Sequence, residues 1–82
     1  MAHVYILYSH ILEQYYVGST DDILEERLRR HLTNHKGFTS KVKDWILAYS
    51  EQYKDIHEAW QREIQIKNWK SKKMIQKLIF PK

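Results

Sequence analysis

The chain has 82 residues, a formal net charge of +4, no cysteine, and an apolar share of 43% that includes three Trp, six Tyr and two Phe. That length supports one small domain, residues 1–82, whose core must draw its area from large rings. Without cysteine there is no disulfide framework and no thiolate zinc site, and no apolar run is long enough for a membrane helix. The N-terminal MAHVYILYSHILEQ lacks the basic start and long apolar stretch of a signal peptide, so a soluble cytoplasmic protein is expected, monomeric by default and without a membrane partner.

HVYILYS (3–9) is β-branched and aromatic, and reads as a strand. YYVGST (15–20) reads as a second, and HILEQ between them is short enough for a hairpin. Successive strand residues face opposite ways, so Tyr15 and Tyr16 cannot share a role. Gly18, one of two glycines, suggests a bend or a close approach of backbone to another group. TDDILEERLRRHL then changes to helical period, with Thr or Asp as cap, Asp22-x-x-Glu25 as a capping box, and Asn34 and Gly37 as the stop. DWILAYSEQY (44–53) returns to a strand, with Trp45, Leu47 and Tyr49 expected on one face. From Asp55 to about Phe80 the pattern is helical, broken near Trp69–Ser71. The fold class is α+β, in ββαβα(α) order, around a small and mainly antiparallel sheet.

Charged residues fall where apolar ones belong. On the first helix Ile23, Leu24, Leu28 and Leu32 define a buried arc, and Arg27 and His31 lie inside it, one turn apart. A guanidinium there needs an anionic partner, from the protein or a ligand, unless it snorkels at the core edge. On the next helix Ile56, Ala59, Trp60, Ile64 and Ile66 make a stripe with Glu63 near its centre. That carboxylate must be paired, hydrogen-bonded or bound to a metal, and Lys67 at i+4 offers the simplest pairing. Arginine, histidine and carboxylate converging on one pocket would suit phosphodiester chemistry. After Glu63 the chain has six lysines and no acid, a footprint for a polyanion or a plain solvated face.

These residues together resemble the GIY-YIG nuclease superfamily. Its first motif corresponds to HVY, with Tyr5 in the tyrosine position, and its second to Tyr16-Val17-Gly18, eleven residues on. RLRRH, with Arg27 and His31, resembles the family's helix motif, and Arg62-Glu63 its metal-binding glutamate. GFTSK, EAWQRE and IKNWKSKK resemble small single-domain members akin to the excision-repair and intron-encoded nucleases. Three departures stand out: His3 replaces the first motif's glycine, STDDILEE carries one extra residue, and Ser19 stands where some members have lysine.

The resemblance implies a three-stranded antiparallel sheet flanked by helices, in ββαβαα order, and hydrolysis of one phosphodiester bond with a single Mg²⁺ or Mn²⁺. Tyr5 or Tyr16 would serve as general base or orient the water, and a tyrosine base needs nearby positive charge to favour its phenolate. Arg27 would hold the phosphate, His31 would assist proton transfer or hold a tyrosine, and Glu63 would bind the metal. Gly18, Lys67, Lys70, Lys72 and Lys73 are the expected nucleic-acid contacts. The partner is nucleic acid, with DNA the expected substrate and repair or recombination the setting. A catalytically weak binding module with the same fold, and an interaction domain with a basic tail, are the alternatives.

Overall fold

The computed structural model describes residues 1–32 and 42–81, and for 30–32 the backbone alone. The expected stop at Asn34 and Gly37, and the GFTSK stretch, lie outside the described residues. Ala2–Ser9 (β1) is apolar or aromatic at nearly every position, which suits a strand covered on both faces. It is the central strand, with Gln14–Thr20 (β2) and Ile46–Tyr53 (β3) antiparallel on either side, in the order β2-β1-β3. Leu24–Leu32 (α1) lies between β2 and β3 in sequence, and Ile56–Trp69 (α2) and Lys72–Ile79 (α3) follow. The ββαβαα order and the three-stranded antiparallel sheet are those the sequence led us to expect.

Strand alternation divides the core in two. Ala2, Val4 and Ile6 join Val17, Ala59 and Ile66 on one face, where Trp69, Ile75 and Leu78 also pack. Tyr5 and Leu7 point the other way and cluster with Trp45, against Leu24 and Leu28 of α1. The β1–β2 turn is pinned from a distance by Asp44, which accepts from Ser9 Oγ (2.6 Å) and from the Ile11 N–H (2.9 Å). The break between α2 and α3 is well marked. Lys70 takes a left-handed conformation (φ 49°), and Ser71 then caps α3 by accepting from the Met74 N–H at 3.2 Å. Among the described residues no helix is long and apolar enough to cross a membrane.

Three sequence expectations are corrected. Trp45, Leu47 and Tyr49 do not share a face, because Ile6 pairs with Tyr49 while Leu7 pairs with Leu47, leaving Ala48 as an extra residue. That bulge reverses the alternation, and Tyr49 packs with the α2 cluster while Trp45 packs with the α1 cluster. Ile23 is 64% exposed and precedes α1, its carbonyl accepting from the Arg27 N–H at 3.1 Å. At the start of this helix Asp22 accepts from the adjacent Ile23 N–H at 2.8 Å. On α2, Trp60 (48%) and Ile64 (57%) are exposed. Ile64 lies nearly opposite Ile66 on the wheel, and the narrow sheet covers only the arc around Ala59 and Ile66.

A polar cluster fastens α2 to β3 on this side. Glu51 accepts from Arg62 Nε at 3.0 Å and from the hydroxyls of Tyr49 and Tyr53 at 2.6 Å each. Burial alone would raise the Glu51 carboxyl, but these donors outweigh it and hold it below its ordinary value. Tyr49 is pushed up to about 12, by burial first and by Glu51 second. A depressed carboxyl stabilises the fold above its unfolded pKa and loses that contribution as pH falls through the folded value; a raised phenol loses its contribution as pH rises through the folded value. Thermal midpoints should therefore fall below pH 4.5 and again between pH 10 and about 12. Melting curves across pH test this, and Glu51→Gln should flatten the acid limb.

Candidate functional site

The site starts from one cross-strand pair. Tyr5 on β1 faces Gly18 on β2, and the fully buried phenol lies flat against the glycine backbone. A Cβ at residue 18 would stand 2.5 Å from Tyr5 Oη and 2.6 Å from Cζ, which explains why glycine occupies this strand position. Arg27 descends from α1 and donates from Nε to Tyr5 Oη at 3.1 Å. The charged residue on the apolar face of α1 thus has its partner in a phenol oxygen. That hydrogen bond, with its Nε committed, fixes the plane of the guanidinium and orients the terminal nitrogens.

Tyr16 is two residues before Gly18 on the same face and pairs with Leu7. Its ring meets Trp45 edge-on, with centroids 6.4 Å apart. Tyr15 turns to the opposite face, stacks at a tilt on Tyr8 (4.8 Å) and packs against the α2 cluster. The doublet is therefore divided between two faces, as strand geometry requires.

Glu63 approaches from the other side of β2. Ser19, next to Gly18 but pointing towards α2, donates to Glu63 Oε1, and Lys67 Nζ lies 2.6 Å from Oε2. The carboxylate is within electrostatic reach of Tyr5 and Arg27, as is Tyr16. Arg62 and Glu63, adjacent in sequence, diverge: Arg62 joins the cluster on β3, whereas Glu63 goes to β2. His31 lies in the last turn of α1 by its backbone, and its side chain lies outside the described residues.

Burial raises the Tyr5 phenol more than Arg27 lowers it, and the charges of Tyr16 and Glu63 add to the rise. With its pKa raised above the ordinary phenol value, Tyr5 is a neutral hydroxyl near neutral pH and accepts from Arg27. The Tyr5 bond in turn raises Arg27 above its ordinary value and keeps the guanidinium charged.

Beside the free edge of β2 lies a cleft of about 600 Å³, with Tyr15, Tyr16 and Val17 on one wall and Ile66, Lys67, Lys70 and Lys72 on the other. Lys72 Nζ closes one end by donating to the Glu13 carbonyl at 2.5 Å. Lys67, Lys70 and Lys72 therefore gather at one place, whereas Lys73 is exposed on α3 and does not line the cleft. Sequence reasoning missed Ser19 as the partner of Glu63, and missed the edge cleft. Both depend on how α2 lies along β2, for which the chain carries no local signal.

As for the metal, the described residues hold no group of three or more ligating side chains. Glu63 supplies one carboxylate, which fits a hard cation such as Mg²⁺ or Mn²⁺ that keeps most of its waters and completes its shell with substrate phosphate. It does not fit a site built wholly from protein ligands.

No curated protein and no solved structure is significantly similar to the chain. The GIY-YIG catalytic domain family, in contrast, matches residues 1–77, nearly the whole length. With Tyr5, Tyr16, Gly18 and Arg27 gathered around one strand pair of a three-stranded sheet, and that match covering them all, the chain belongs to the GIY-YIG nuclease superfamily.

Proposed function

We propose that the protein is a divalent-metal-dependent endonuclease that hydrolyses phosphodiester bonds in DNA, in repair or recombination. The observation that carries this reading is Arg27 held on the buried Tyr5 hydroxyl above Gly18, with Glu63 anchored on the neighbouring Ser19. Arg27 holds the scissile phosphate with its terminal nitrogens and meets the negative charge that develops there. The buried Tyr5 hydroxyl holds Arg27 in position, and the half-buried Tyr16, on the same face, orients the attacking water or takes its proton. Water adds to phosphorus, the P–O ester bond breaks, and the leaving oxygen takes up a proton. His31 assists that proton transfer or holds a tyrosine. Glu63 holds the cation, which when bound supplies charge neutralisation at the phosphate and acidifies water. The nucleic-acid backbone lies along Gly18 and the lysines of the cleft.

The test is a cleavage assay on DNA and RNA with Mg²⁺ or Mn²⁺, with wild type beside Arg27→Ala. Arg27→Ala should lower cleavage by about 10²–10³-fold, as expected for removing a group that stabilises transition-state charge. An unchanged rate would overturn the assignment. Binding without cleavage would favour the alternative of a binding module, for which the pairing of Glu63 with Lys67 is the supporting observation.

Two further outcomes are expected. Tyr16→Phe should lower cleavage by ~10²-fold, on the scale of a lost proton-transfer or water-orienting group, whereas Tyr15→Phe should leave it within about twofold. Lys70→Gly should separate stability from binding. Glycine relieves the left-handed conformation and should raise stability by roughly 0.5–1 kcal/mol, while one lost phosphate contact should reduce the salt dependence of DNA binding by a slope of about 0.7–0.9. Thermal melting and a salt titration of DNA affinity measure the two effects.

A further inference from the structure

The carboxylate assigned to the metal is already occupied. Ser19 donates to one of its oxygens, and the Lys67 ammonium sits 2.6 Å from the other. The Glu63 side chain is 18% exposed and that of Lys67 is 50% exposed, so the lysine is the mobile partner of the two. The serine contact is compatible with a bound cation, because a carboxylate oxygen has lone pairs to spare beyond one hydrogen bond. The ammonium is not, because it takes up the second oxygen and repels a divalent ion brought beside it.

Lys67 also lines the cleft beside β2, together with Lys70 and Lys72. A nucleic-acid strand entering that cleft brings phosphates that compete with Glu63 for the same ammonium. We propose that Lys67 is an exchange switch between Glu63 and the nucleic-acid backbone. With the cleft empty, Lys67 closes the carboxylate to cations. With a strand in the cleft, Lys67 turns to a phosphate and releases the second oxygen of Glu63 for Mg²⁺ or Mn²⁺. The metal site is then completed only where there is a bond to cut, and the strand and the cation each tighten the binding of the other by the same factor. This rests on the reading of Glu63 as the metal ligand, and deepens it.

The full-length chain tests the switch without any cleavage measurement. Mn²⁺ affinity is read by electron paramagnetic resonance of the free ion, with no nucleic acid present, in wild type, Lys67→Met, Glu63→Gln and the double variant. Lys67→Met should tighten Mn²⁺ binding by roughly tenfold, within the usual range of coupling between sites, and Glu63→Gln should abolish that gain. A second arm measures the affinity of a fluorescent single-stranded DNA oligonucleotide by anisotropy in the absence of divalent ions. Glu63→Gln should tighten DNA binding several-fold when Lys67 is present and have little effect in the Lys67→Met background. Far-UV circular dichroism verifies that each variant is folded; the exposure of Lys67 makes the Met substitution a mild one.

If Glu63→Gln abolishes Mn²⁺ binding but Lys67→Met leaves it unchanged, the switch is overturned and the metal-ligand reading stands. If Glu63→Gln leaves Mn²⁺ binding intact, the metal-ligand reading fails and the switch fails with it. If the gain in DNA affinity is the same with and without Lys67, simple charge removal explains it and the exchange is overturned.

Discussion

Glu63→Gln is expected to lower divalent-dependent cleavage by on the order of 10³-fold while leaving the fold in place. A cation at the phosphate contributes several kcal/mol to the transition state, and each 1.4 kcal/mol or so is a factor of ten in rate. Glutamine keeps the size of the side chain and can still accept from Ser19, so the junction between α2 and β2 stays closed. What it loses is the charge, and with it the grip on a cation. The structural cost is small: the Lys67 pair is a helix i,i+4 contact with a half-exposed ammonium, of a kind that contributes about 0.3–0.5 kcal/mol. Thermal midpoint and rate should therefore separate, the first moving by a few degrees at most, the second collapsing. Parallel melting and cleavage measurements decide the matter. A variant that cuts DNA at the wild-type rate would remove Glu63 from the site.

Gly18→Ala has the second large expected effect, and its sign is the informative part. In an ordinary strand, replacing glycine by alanine stabilises by roughly 0.5–1 kcal/mol, because glycine loses the most backbone freedom on folding. Here the new Cβ would come within 2.5 Å of Tyr5 Oη and 2.6 Å of Cζ. The phenol has little room to yield, since it is fully buried and its hydroxyl is held by Arg27. Overpacking of this kind costs about 1–3 kcal/mol, which in a domain of this size is a drop of roughly 5–20 °C in the midpoint. Any retreat by Tyr5 also carries Arg27 with it, so cleavage should fall by more than the folded fraction does. Melting Gly18→Ala against wild type, with activity measured well below both midpoints, separates the two effects. A midpoint at or above the wild-type value would show that the glycine is not a packing requirement.

Much of this was legible along the chain because it depends on neighbours in sequence. The β-branched and aromatic run HVYILYS reads as a strand, and alternation alone sends Tyr15 and Tyr16 to different faces. Helical period marks Arg27 as a charge on an apolar face, and the break at Lys70–Ser71 follows from where the periodicity stops. These are local properties of backbone geometry, and they carry the element order and the first candidates for the site.

What the chain could not decide alone depends on contacts between residues far apart in it. One extra residue at Ala48 turns Tyr49 to the face opposite Leu47, and only pairing with β1 shows where that bulge falls. Glu63 looked like the carboxylate in the middle of an apolar stripe, yet Trp60 and Ile64 of that stripe are exposed. Its true setting, Ser19 on one oxygen and Lys67 on the other, exists only because α2 lies along β2. The partner of Arg27 is a phenol oxygen 22 residues away, and burial decides that this phenol stays neutral. Periodicity tells which side of an element is apolar; the packing of one element on another tells which charge meets which, and that is a property of the folded chain alone.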